Sequence, residues 1–236
     1  MNLSLNTIKL KSVDSTNNYA KALLKSGEPL MPYTVIYTKE QTKGRGRLGR
    51  SWHSKEEESL CMSLIIPNIR SSGITLLCAL GVHRALRRLC PQKLQIKWPN
   101  DIICENKKLC GILTEGVKGF AVAGIGINLN STDFPADIAH KATSLRVLTG
   151  KLFDGEELCR EIATSVFETI EEYGGMLTED AIREYTPLCA NMGREVTAEN
   201  AKGIATGIDP DGSLKIATEK GIANISFGEV IVTDIY

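Results

Sequence analysis

Leu94-Gln95-Ile96-Lys97-Trp98-Pro99-Asn100-Asp101-Ile102-Ile103-Cys104-Glu105-Asn106-Lys107-Lys108-Leu109-Cys110-Gly111-Ile112-Leu113-Thr114 reads as three short apolar strands, 94–97, 102–104 and 108–114, with turns at Pro99-Asn100 and Glu105-Asn106. Proline and asparagine suit turns, and the β-branched and apolar runs between them suit strands. A further strand, Phe120 to Ile127, follows closely. Strands joined this tightly pair antiparallel, because a parallel neighbour needs a crossover of a dozen or more residues.

Working outward, Leu60-Cys61-Met62-Ser63-Leu64-Ile65-Ile66, ended by Pro67, and Thr34 to Thr38 are two more buried strands. Apolar residues at 74, 77, 78, 81, 82, 85, 86 and 89 form a helical stripe closed by Cys90-Pro91. Leu5 to Val13 reads as a strand, followed by Asp14-Ser15-Thr16-Asn17 opening a helix through Leu24. Leu158, Ile162, Val166, Ile170 and Tyr173 mark another helix, and Thr178 to Tyr185 a shorter one. After Pro187 the texture changes to short β segments at 195–197, 203–208, 213–216, 221–225 and 229–232, with a strong turn at Asp209-Pro210-Asp211-Gly212. The expectation is an α+β fold: a mixed, largely antiparallel sheet with helices over 1–186, then a small β-barrel over 187–236. So small a barrel has no interior room for a site, so chemistry is expected in the first ~185 residues, with docking or a lid role for the tail.

The 236 residues carry 28 Lys and Arg against 28 Asp and Glu, which excludes a general affinity for nucleic acid or an anionic membrane and leaves only local charge clusters. No apolar run approaches the roughly 20 residues that span a bilayer, and the amino terminus lacks a basic-then-apolar leader, so a cytoplasmic protein is expected. Seven cysteines without a CxxC pair suit reduced, buried thiols.

Four segments hold polar residues where a strand or turn would otherwise be apolar. Gly44-Arg45-Gly46-Arg47-Leu48-Gly49-Arg50 lies in a stretch of about 20 residues without regular structure. Glycine permits close backbone approach and arginine offers a planar fork of donors, so the loop reads as an anion site; a solvated loop or an RGG-like nucleic-acid segment is the other reading. Trp52 could close a pocket over an apolar ligand or anchor the loop. Asp14-Ser15-Thr16-Asn17 offers groups for a polar ligand, or merely caps a helix. Lys97-Trp98-Pro99-Asn100-Asp101 packs a cation, an indole, a rigid turn and a carboxylate together, against the alternative of a turn with a surface ion pair. Gly111, Gly124 and Gly126 are strand-interior glycines of the kind that mark close approach by a ligand.

In this order the segments resemble the biotin protein ligases, through Asp-Ser-Thr-Asn, Gly-Arg-Gly-Arg-x-Gly-Arg, Lys-Trp-Pro-Asn-Asp, Lys-Leu-x-Gly-Ile-Leu and Gly-Ile-Gly-Ile-Asn, and further through Ala142-Thr143-Ser144-Leu145, Gly193-Arg194-Glu195-Val196, Gly207-Ile208-Asp209 and Gly228-Glu229-Val230. The resemblance implies a class II aminoacyl-tRNA-synthetase-like catalytic fold with an SH3-like barrel, in a short form without an amino-terminal DNA-binding domain. It implies activation of biotin by ATP to biotinyl-5′-AMP, and transfer to a lysine of a carrier domain such as that of acetyl-CoA carboxylase. By resemblance Ser15, Thr16, Asn17 and Gln41 face the ureido head, and Gly44, Arg45 and Arg47 border the ligand. Gly111, Ile112, Gly124 and Gly126 then form the strand floor. Arg45, Arg47 and Arg50 lie near the phosphates, with Trp52 on the nucleotide side, and Lys108 beside the biotin carboxyl. Asn128 sits near adenine, with Phe134 the nearest aromatic candidate to enclose it. Leu48 stands where some relatives carry a further arginine. Asp101 is expected to orient the acceptor amine or take its proton, and to reach Mg²⁺ through water. Monomer and homodimer are both open, and neither nucleic acid nor membrane is an expected partner. Two rivals are a lipoate ligase or octanoyltransferase, and a nucleic-acid-binding module using Arg45, Arg47, Arg50 and Trp52.

Overall fold

The computed structural model describes residues 3–55, 57–67, 73–198, 201–226, 228–233 and 235. A seven-stranded sheet has the order β1 (Asn6–Lys9), β2 (Thr34–Thr38), β3 (Ser59–Pro67), β7 (Phe120–Asn128), β6 (Lys107–Val117), β5 (Asp101–Cys104) and β4 (Leu94–Lys97). Among these seven strands only β1 and β2 pair in parallel, across the helix α1 (Thr16–Ser26). The rest is antiparallel, with Gly111 opposite Gly126 at the centre. The α+β class and the largely antiparallel sheet expected from the turns are therefore what the chain adopts.

The core lies between one face of this sheet and the helices α2 (Ile74–Leu86) and α4 (Gly155–Glu172), which carry Leu77, Val82, Ile162 and Val166, all fully buried. The two helices approach closely at Gly81, where a Cβ would lie 2.6 Å from Val166 Cα and where Ser165 Oγ donates to the Gly81 carbonyl at 2.8 Å. Asp154 caps α4, accepting from Glu156 N and Glu157 N at 2.8 and 2.9 Å. The short helices α3 (Leu145–Thr149) and α5 (Glu179–Tyr185) complete the layer. Several boundaries differ from expectation. The first strand stops at Lys9 rather than Val13, α2 stops at Leu86 rather than Leu89, and α3 has no counterpart in the pattern reading. All seven cysteines are free and buried.

His83, 3% exposed on α2, places Nε2 3.2 Å from the Leu94 carbonyl and joins the helix to β4. Burial holds its pKa below the usual 6.5; the Leu94 bond opposes this, and the charge of Arg87 adds to it. Below about 6.5 the unfolded chain therefore binds more protons than the folded one, and stability falls as pH drops toward the folded pKa. The Tm should decrease over that window, and decrease less in His83→Gln. Equal slopes in the two proteins would remove His83 as the cause.

A second, five-stranded sheet follows, in the order β11 (Gly221–Ile225), β10 (Leu214–Thr218), β9 (Ala201–Ile208), β8 (Glu195–Ala198) and β12 (Ile231–Val232), all antiparallel. Trp98 joins the two sheets. It is 3% exposed, its indole N–H donates to the Gly212 carbonyl at 3.0 Å, and its backbone N–H donates to Asn191 Oδ1 at 2.8 Å.

Candidate active site

One cavity opens where the helix start, the Gly/Arg loop, the floor of β6 and β7, and the approach to β12 converge. Ser15 is the N-cap residue of α1, yet its hydroxyl makes no capping bond. Thr16 instead turns toward Gln41, whose Oε1 accepts from Thr16 N at 2.8 Å and lies 3.2 Å from the Thr16 hydroxyl oxygen. Helix capping alone thus does not account for Asp14-Ser15-Thr16-Asn17. Ser15, Thr16 and Asn17 are nearly buried, and with Gln41 they line the cavity.

The arginine loop closes on itself through a single 3₁₀ turn at Arg47–Gly49, with Leu48 in the left-handed region (φ 54°) and a bridge between Arg45 and Ser51. Arg47 reaches inward, donating to Asn100 Oδ1 at 2.8 Å and to the Gly228 carbonyl at 2.6 Å. Arg50 pairs with Glu229 at 2.5 Å on the outer rim. Exposed as both side chains are, that pair contributes little stability by itself. Asn100, part of the Lys97–Asp101 segment but given no role of its own in the sequence, is the pivot. Its Nδ2 donates to the Ile112 carbonyl at 2.9 Å, while its own carbonyl accepts from Ile112 N at 2.8 Å.

Gly111 and Gly126 face each other on β6 and β7, and the Trp52 indole lies across both. A Cβ at Gly126 would stand 2.4 Å from Trp52 Cε2, and one at Gly111 would stand 3.3 Å from Cζ3. Trp52 therefore does more than anchor the loop: it covers the glycine floor. Nearby, burial pushes the Cys61 thiol up to about 12, with Ser54, Trp52 and Gln41 pulling the other way.

Lys108 projects over Gly111 to pair with Asp101 at 2.7 Å, its Nζ 5.8 Å from the Trp52 ring centroid. Burial depresses the basicity of Lys97 and of Arg47, and the Asp101 carboxylate partly offsets both. The cavity wall carries five cations, Arg45, Arg47, Arg50, Lys97 and Lys108, against two carboxylates, Asp101 and Glu229. In a low-dielectric cleft such an excess attracts and holds anions.

Most of the sequence-derived candidates thus converge, but Gly44, Asn128 and Phe134 lie outside the cavity wall. Gly44 shapes the loop instead, since a Cβ there would meet the Trp52 carbonyl oxygen at 2.4 Å. The Asn128 amide is engaged with the Lys108 and Thr143 carbonyls at 3.3 and 2.9 Å. The expectation that the site would be confined to the first ~185 residues is corrected, because Gly228, Glu229 and Val230 form part of its wall. No local pattern could have disclosed this, since Arg47 and Gly228 are 181 residues apart. Among the described residues no group of three His, Cys, Asp or Glu side chains forms a metal cage. The donor set fits a Mg²⁺ ion held chiefly by substrate phosphates, with one carboxylate reached through water. No described helix is long and apolar enough to cross a membrane.

Residues 10–131 match the biotin/lipoate A/B protein ligase family, and residues 192–232 match the biotin protein ligase C-terminal domain. The bifunctional ligase/repressor BirA of Bacillus spizizenii is 32% identical over 92% of this chain and 71% of its own. The biotin–[acetyl-CoA-carboxylase] ligase of Paracoccus denitrificans is 31% identical over 94% of this chain and 98% of its own. The biotin protein ligase from Aquifex aeolicus, solved in complex with biotin and ATP, superposes with a TM-score of 0.85 at 31% identity, over 96% of this chain and 98% of that one. On the cavity's construction and these matches together, the chain belongs to the biotin/lipoate A/B protein ligase family.

Proposed function

We propose that the protein is an ATP-dependent ligase that activates biotin to biotinyl-5′-AMP and transfers the biotinyl group to a lysine of a biotin carrier domain, such as that of acetyl-CoA carboxylase. The observation that carries this reading is the pairing, in one cavity, of a polar pocket at Ser15–Asn17 and Gln41 with five converging cations. A carboxylate is a poor acyl donor. Its oxygen attacks the α-phosphorus of ATP, a C–O–P bond forms and pyrophosphate leaves. Drawing two anions together, and stabilising the charge developed between them, is the task that Arg45, Arg47, Arg50 and Lys108 suit. Mg²⁺ accompanying the nucleotide would neutralise phosphate charge, with Asp101 reaching its hydration shell.

In the second step the acceptor lysine amine, with a reference pKa of about 10.4, must lose a proton before it attacks the acyl carbon and expels AMP. Asp101 stands at the cavity wall, where it can orient that amine or take the proton. Trp52 over Gly111 and Gly126 shields the mixed anhydride from water. In this reading Ser15, Thr16, Asn17 and Gln41 hold the ureido head, while Asn128 and Phe134 serve adenine once the nucleotide is bound. In this reading residues 1–186 form the ligase domain and 187–236 the SH3-like barrel, which lends Gly228, Glu229 and Val230 to the cavity wall; nucleic acid plays no part.

Incubation with biotin, Mg-ATP and a carrier domain should yield biotinyl-AMP and one biotinylated lysine by mass spectrometry. The family also contains lipoate ligases, so lipoate is offered in parallel. Pyrophosphate exchange driven by lipoate and not by biotin would replace the assignment.

A further inference from the structure

Glu115, on β6, lies outside the cavity lining yet touches the pocket proposed to hold the ureido head, and the inference rests on that biotin reading. Its Oε2 accepts from Asn17 Nδ2 at 2.9 Å, and its Oε1 pairs with Lys21 at 2.7 Å, with Arg45 at 3.8 Å. Burial raises the Glu115 pKa, but the bonds from Lys21 and Asn17 and the charges of Lys21 and Arg45 outweigh it, leaving the pKa below the usual carboxylate value. At neutral pH the group is a carboxylate and can only accept.

That fixes the Asn17 amide, whose Nδ2 also donates to the Leu113 carbonyl at 3.2 Å, so its Oδ1 points the other way, over Gly124. Ser63, fully buried, has its Oγ 2.6 Å from Asn17 Oδ1 and 2.7 Å from Thr16 Oγ1. Ser63 has one hydroxyl proton, and Asn17 Oδ1 cannot donate, so that proton goes to Asn17. The Thr16 hydroxyl then gives its one proton to the 2.7 Å contact with Ser63, the shorter of its two, rather than to Gln41 Oε1 at 3.2 Å. Thr16, Ser63 and Asn17 form a one-way chain of donors ending on Glu115.

We propose that Glu115 is a positioning residue that sets the hydrogen-bond polarity of the head pocket. It turns Asn17 Oδ1 and the lone pairs of Thr16 Oγ1 toward the cavity as acceptors, and so selects a head group with N–H donors, such as a cyclic urea. Glutamine at 115 could donate as well as accept, which lets the Asn17 amide flip and present N–H groups where acceptors are needed.

The test is steady-state pyrophosphate exchange with biotin and ATP varied separately. Wild type must first show biotin-dependent exchange; its absence there overturns the biotin reading itself. Glu115→Gln is then expected to raise the KM for biotin about 10-fold or more, with the KM for ATP changed less than about 2-fold. Asn17→Asp should impair biotin binding through like charge beside Glu115. Combining it with Glu115→Gln should recover most of the loss, because the introduced amide donates to the introduced carboxylate. An unchanged KM for biotin in Glu115→Gln, or a rise shared equally by ATP, overturns the proposal. So does a double variant no better than Asn17→Asp alone. If Glu115→Gln alone does not fold, the comparison of Asn17→Asp with the double variant decides by itself.

Discussion

Replacing Lys108 with alanine is expected to slow adenylate formation by about 10³-fold, equivalent to ~4 kcal/mol of transition-state stabilisation. The ammonium is held in place before any ligand arrives: it spans Gly111, meets Asp101 at 2.7 Å and lies beside the face of Trp52. A fixed cation costs no reorganisation when charge develops, which is why preorganised groups outperform water. Truncation also leaves the Asp101 charge less compensated next to the incoming phosphates, adding repulsion to the lost attraction. Single-turnover pyrophosphate release measures the effect. A rate within tenfold of wild type would take Lys108 out of the chemical step. Stability should barely change, because the Lys108–Asp101 pair is only partly buried and water can replace it.

Gly126→Ala is expected to lower kcat/KM for biotin by about 100-fold, ~2.7 kcal/mol, while shifting Tm by only a few degrees. The added methyl would stand 2.4, 2.7 and 2.8 Å from Trp52 Cε2, Cζ2 and Nε1, so the indole must leave the floor. Trp52 belongs to a loop rather than to the core, so the loop can yield without unfolding the sheet. The ligand then loses both its cover and the loop that carries Arg45 to Arg50. Normal biotin kinetics, or a Tm loss comparable to a core substitution, would refute this account of the glycine.

The central strands were legible because Pro99-Asn100 and Glu105-Asn106 punctuate short apolar runs, and such punctuation is local in sequence. The parallel pairing of β1 with β2 was not, because β-type composition does not encode direction and only the α1 crossover reveals it. The five-residue helix α3 is too short to show a 3.6-residue period, although Ser144 caps it by accepting from Val147 N at 3.1 Å. In the site, Arg47, Lys108 and Asp101 stood out because charged groups between buried strands need a reason. Asn100 has no role of its own in the sequence reading because Pro-Asn-Asp is good turn chemistry, and Glu115 is missed because the strand expected from the sequence ends at Thr114, one residue before it. The tail's share of the wall was invisible for a different reason: Gly228 contributes a backbone carbonyl, which every residue type possesses.

That carbonyl has a consequence for the timing of competence during synthesis. Domains generally fold as the chain emerges, amino-terminal parts first. The seven-stranded sheet is complete at Asn128, whereas the acceptor for Arg47 at Gly228 and the counter-ion for Arg50 at Glu229 arrive about a hundred residues later. A ribosome-bound or prematurely terminated chain therefore has its pocket floor and its arginines, but not the wall that steadies them. Such a fragment would be poorly placed to make or retain a reactive anhydride. Arg47 and Arg50 thus gain these partners only after the strands of the second sheet have been synthesised.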